Sequence, residues 1–147
     1  MDLHEARSMA RHLMDMHGLQ GWDLRFDRAR RRAGQTNFTD RFISLSAPLL
    51  ALYDEDLARQ VILHEIAHAR VGYGHGHDRV WKAEAQQLGA SPTATLHEAP
   101  EVPAPWIGTC PRGHVVHRYR RPSRPQSCAR CSRTYDPRFA LRWRHQQ

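Results

Sequence analysis

The chain contains no run of about 18 apolar residues, so nothing in it reads as a membrane-spanning helix. Its start, Met1-Asp2-Leu3-His4-Glu5-Ala6-Arg7, lacks the basic-then-apolar layout of a secretory signal. A cytoplasmic protein, free or associated with the nucleoid and its DNA, is therefore expected. Cysteine is scarce: Cys110, Cys128 and Cys131 are the only three, and all fall in the last third. An odd number so placed argues against a disulfide framework and for metal binding. Lysine is nearly missing, with Lys82 alone against 21 arginines. Acidic residues are nearly missing from the tail. Residues 1–100 carry 12 basic and 13 acidic side chains, whereas residues 101–147 carry 10 arginines against Glu101 and Asp136. A local balance of +8 beside one of −1 points to a polyanion partner, DNA in the first instance, for the tail.

What is present suffices for one modest domain and a small appendage, with 147 residues of which 40% are hydrophobic. Residues 2–17 read as an amphipathic helix through Leu3, Ala6, Ala10, Leu13 and Met14, stopped by Gly18. Trp22 to Asp27 alternates with period two and reads as a strand. Asn37-Phe38 and Arg41 to Leu45 read as further strands around a Thr39-Asp40 turn, giving a small antiparallel sheet. Asp54-Glu55-Asp56 opens a second helix that is apolar on several faces and runs to about Val71. Gly72, Gly74 and Gly76 break it, and a third helix spans Asp78 to Leu88. From Gly89 the chain turns rich in proline and alanine, and residues 91–105 read as a linker. The tail, 106–147, holds short β-like pieces such as Val115-Val116-His117 and Phe139 to Trp143.

Inside the second helix lies His64-Glu65-Ile66-Ala67-His68, an H-E-x-x-H motif. A spacing of four puts both histidines on one helical face, where they can share one zinc ion. Glu65 lies beside them and reaches a water bound to that ion as general base. Uncoordinated histidines in so apolar a helix would carry a desolvation cost. A third ligand must come from beyond the glycine break, and His77, His75 and Glu84 are the candidates. The tail carries a second constellation. Cys128-Ala129-Arg130-Cys131 is a C-x-x-C knuckle, and Cys110 is followed by His114, with His117 as an alternative to His114. Four such ligands in two pairs suit a closed structural zinc, which would supply much of the folding energy of so short a tail. His117 to Arg124 adds basic side chains with a tyrosine, a pattern able to track phosphates and stack on a base.

Several of these stretches together resemble the SprT-like metallopeptidases, the group that includes Spartan. They are Gly21-Trp22 through Phe26-Asp27, Ile43 to Ser46, Leu63 to Ala69, and Gly74-His75-Gly76-His77-Asp78-Arg79-Val80-Trp81. The resemblance implies an α+β fold, a zincin-like metallopeptidase domain over residues 1–90 followed by a small β zinc ribbon. It implies His77, four residues before Trp81, as third ligand of the catalytic zinc beside His64 and His68. The ribbon departs from the usual four-cysteine form, since Cys110, His114, Cys128 and Cys131 would hold its zinc. The implied activity is zinc-dependent endopeptidase, with a protein substrate and, by analogy with Spartan-like members, one attached to DNA. Two other readings compete: a nucleic-acid-binding protein whose zincin domain has lost turnover, and a zinc hydrolase acting on another bond. Glu65 speaks against the first, since a domain without turnover has no use for a base.

Overall fold

The computed structural model describes residues 1–93 and 99–146; residues 94–98, which fall within the expected linker, and Gln147 lie outside the described residues. The chain divides into two compact units, Met1–Val102 and Pro103–Gln147.

In the first unit, α1 (Leu3–Met16) begins where the Asp2 carboxylate accepts the backbone N–H groups of His4 and Glu5. Those donors have no partner inside a first helical turn. Gly18 ends the run with φ 85, a conformation that costs little only without a side chain. Three strands follow, β1 (Asp23–Asp27), β2 (Gly34–Asn37) and β3 (Phe42–Ser46), in the sheet order β1-β3-β2. β2 and β3 form an antiparallel hairpin, but β1 runs parallel to β3, with Leu24 opposite Ile43 and Phe26 opposite Leu45. The expected antiparallel sheet is thus a mixed one. β3 carries the fully buried Ile43 and Leu45 and takes the central place. β2 reverses the chain between β1 and β3, so the two strands that flank it in sequence point the same way. Period-two alternation encodes which face a residue takes and says nothing of strand order. β2 also starts earlier than expected, with Gly34 already in the ladder.

A short helix that the sequence reading did not anticipate, α2 (Ala47–Leu52), follows β3 directly. Ser46 caps it, its hydroxyl accepting the N–H of Leu49, and Pro48 sits in its first turn. Asp54 then caps α3 (Glu55–Val71) through the N–H of Leu57. α3 is the centre of the unit, with α1, β2 and β3 packed against it. It buries Ala58, Val61, Ile62, Leu63, Ile66 and Ala67, and each large side chain such as Ile62 contributes about 1.5–3 kcal/mol by leaving water. α4 (Arg79–Leu88), capped by Asp78 and closed by a left-handed Gly89, packs on α3 through Trp81 and Ala85. Ala99 and Val102 also lie against this core, so the unit continues past the expected boundary at residue 90.

The second unit is an antiparallel sheet of β4 (Trp106–Thr109), β5 (Val115–Arg118) and β6 (Arg142–His145) in the order β5-β4-β6. β6 begins later than expected because Pro137–Phe139 forms a 3-10 turn. The ring of Trp143 lies over Gly108, where a Cβ would come within 2.9 Å of it. Buried side chains here are few, chiefly Ile107, Cys110 and Cys128, too small a core to hold such a unit unaided. Among the described residues no helix is long and apolar enough to cross a membrane.

Candidate metal centres

α3 presents His64 and His68 on one face, as four-residue spacing requires. Gly72, Gly74 and Gly76, at φ 88, 97 and 56, turn the chain back and bring His77 to the same place. The Nε2 atom of His77 lies 3.1 Å from Nε2 of His68 and 3.1 Å from Nε2 of His64. Three nitrogens bound to one zinc at 2.0–2.1 Å in tetrahedral geometry stand about 3.3 Å apart, so this triangle fits the ion closely. Burial and the neighbouring imidazoles lower the pKa of His64 to about 4, and burial and His77 do the same for His68. Both rings are therefore neutral at ordinary pH, with lone pairs free for a cation.

The other two candidates for third ligand are engaged elsewhere. His75 bonds through Nδ1 to the Asp78 carboxylate at 3.0 Å, and Glu84 is ion-paired with Arg70. Neither joins the His64, His68, His77 cluster. One residue unites that cluster. Trp81 is fully buried, its ring centroid lies 4.6, 5.2 and 4.7 Å from those of His64, His68 and His77, and its indole N–H donates to the His64 carbonyl. In the sequence it is legible as an apolar position of a helix and as the aromatic four residues after His77, but not as a contact of all three histidines.

Glu65, next to His64 on α3, lies between that cluster and β2. The residue is 6% exposed, and burial raises its pKa to about 7 against the opposing effects of a Thr36 hydrogen bond and the Arg32 charge. Oε1 lies 3.0 Å from the Thr36 hydroxyl, while Oε2 lies 4.0 Å from Nε2 of His64. One carboxylate oxygen is thus held by β2 and the other faces the histidines. Thr36 and Gly34, which touches the same carboxylate, were not singled out in the sequence reading.

In the second unit Cys110, His114, Cys128 and Cys131 converge, with ligand atoms all within 4.8 Å of one another. Nδ1 of His114 is 3.4 Å from both Cys128 Sγ and Cys131 Sγ, and Cys110 Sγ is 4.0 Å from Cys131 Sγ. A disulfide needs about 2.05 Å, whereas zinc–sulfur bonds of about 2.3 Å in a tetrahedron place sulfurs about 3.8 Å apart. Desolvation and the two other thiols push Cys131 up to about 11, a cost that a bound cation would offset. Cys110 and His114 meet through a tight turn with Gly113 at φ 88. His117 lies exposed on β5 and does not join the group.

The SprT-like family matches residues 4–101, which adds α1 and the stretch after α4 to the part the motifs alone had suggested. No curated protein matches the chain in sequence. Among solved structures, the metallopeptidase zymogen of Pyrococcus abyssi abylysin aligns with a TM-score of 0.48 at 19% identity, covering 56% of this chain and 77% of its own. The zymogen of Methanocaldococcus jannaschii jannalysin aligns with a TM-score of 0.48 at 14% identity, covering 64% and 85%.

Proposed function

This chain belongs to the SprT-like family, and on that premise we propose that it is a zinc-dependent endopeptidase. The observation that carries the reading is the convergence of His64, His68 and His77 on one point that a buried carboxylate, Glu65, also faces. His64, His68 and His77 would hold a zinc ion, which would supply Lewis acidity and lower the pKa of a bound water toward ~7. Glu65 then serves as general base. Its carboxylate takes a proton from the attacking water and passes it to the leaving nitrogen, and burial raises its pKa to about 7. β2 is an edge strand of its sheet, and an edge offers unpaired backbone groups to which an extended polypeptide can add. That favours a polypeptide over a small ester as substrate. Zinc-loaded protein is expected to cleave an unfolded polypeptide, to stop on chelation and to resume when zinc is restored. A zinc-loaded chain inert on unfolded polypeptides would overturn the reading.

The second unit is proposed to hold a structural zinc through Cys110, His114, Cys128 and Cys131, and to direct the peptidase to DNA-associated proteins. Trp106, Arg118 and His145 stand opposite one another on the ribbon sheet, Trp106 stacks edge-on with His145, and Arg121 reaches over the Trp106 ring. Basic groups around an aromatic suit phosphates and bases together. Substituting Arg118 and Arg121 by Ser is expected to weaken DNA binding about equally across sequences. It should also flatten the salt dependence by about one unit per lost phosphate contact. Unchanged affinity and salt slope would reduce the arginine excess to a compositional bias.

A further inference from the structure

Nothing in α3 by itself aims the Glu65 carboxylate. The terminal torsion of a glutamate is broad and roughly two-fold, so a general base needs an external hold to keep one oxygen on target. β2 supplies two contacts. Gly34 and Thr36 share a face of the strand, opposite Leu45 and Ile43, and that face meets α3. The Thr36 hydroxyl lies 3.0 Å from Glu65 Oε1 and 3.0 Å from the Glu65 carbonyl. It has one proton for two acceptors, and the ionised carboxylate is the stronger. Gly34 acts by what it lacks. A Cβ there would stand 2.8 Å from Glu65 Cγ and 3.0 Å from Oε2. Its backbone is not among those with positive φ, so an alanine would fit the strand conformation, and the atoms it would meet first are those of the Glu65 side chain.

We propose that Gly34 and Thr36 are positioning residues: Thr36 pins Oε1 and Gly34 leaves the space that lets Oε2 face the histidine cluster. β2 thereby sets the aim of the base from outside the helix that carries it. The proposal rests on the peptidase reading, and its test has an arm that does not.

The variants are Thr36→Val, which removes the hydroxyl at constant shape, Thr36→Ser, which restores it, and Gly34→Ala, each in the zinc-loaded full chain. Thr36→Val and Gly34→Ala are expected to lower kcat about 10- to 100-fold, with KM and zinc content unchanged, and Thr36→Ser to recover most of the loss. The second arm is the 13C resonance of the Glu65 carboxyl carbon, assigned by its disappearance in Glu65→Gln. It should move in Thr36→Val and Gly34→Ala and stay in place in Thr36→Ser. Wild-type kcat in Thr36→Val, equal losses in Thr36→Val and Thr36→Ser, or an unmoved resonance would overturn the proposal. Should Thr36→Val fail to fold, Gly34→Ala decides. Should the wild-type chain show no turnover, the peptidase reading falls and the resonance alone decides whether β2 holds the carboxylate.

Discussion

Replacing Glu65 by Gln is expected to lower peptide turnover by about 10²- to 10⁴-fold while the catalytic zinc stays bound. The two effects separate because the three cluster nitrogens belong to His64, His68 and His77, and Glu65 is not among them. Glutamine has the shape of glutamate and still offers an oxygen to the Thr36 hydroxyl, so the fold has no reason to change. What it lacks is the capacity to take a proton. Metal analysis and steady-state kinetics on the same preparation check both halves. Wild-type turnover in Glu65→Gln would remove Glu65 from the chemistry, and loss of zinc would show it to be a ligand.

Changing Cys128 and Cys131 together to Ser is expected to remove one of two zinc ions per chain and to unfold residues 103–147 while residues 1–102 stay folded. The reason is the size of the core. The second unit buries little beyond Ile107 and two of its own cysteines, whereas an apparent binding free energy of about 10–16 kcal/mol accompanies a structural zinc. The first unit keeps the apolar cluster around α3, from Leu13 and Met14 to Trp81 and Ala85, none of which depends on the tail's cysteines. Metal stoichiometry and amide dispersion in NMR spectra of the variant read the two outcomes. One zinc in fully loaded wild-type protein, or a ribbon that stays folded after metal removal, would refute the assignment.

Elements whose signal is local were legible in the chain. α1 has its apolar spacing and Gly18, α3 has its acidic start and glycine end, and α4 has Asp78 and Gly89. His64, Glu65 and His68 were legible because five consecutive residues on one helix carry their own geometry. The Cys128–Cys131 knuckle is local in the same way. α2 was missed although Ser46 and Pro48 mark its start, because it follows β3 without a break and the strand pattern runs into the cap. The mixed sheet was missed because side-chain alternation is the same for either strand direction.

The residue types and spacings alone pointed to a candidate metal site on the long helix, to a second cysteine and histidine set in the tail, and to an excess of positive over negative charge in that tail. Only the tertiary structure decided among partners distant in sequence. It brings His77 to His64 and His68, pairs Glu84 with Arg70 instead, sets Trp81 under all three imidazoles, and closes the ribbon set with His114 rather than His117. It also places Thr36, 29 residues away, on the carboxylate of Glu65. A helix or a knuckle fixes neighbours through its own backbone period, but contacts across a sheet and a helix depend on which strand packs where, and no local pattern records that.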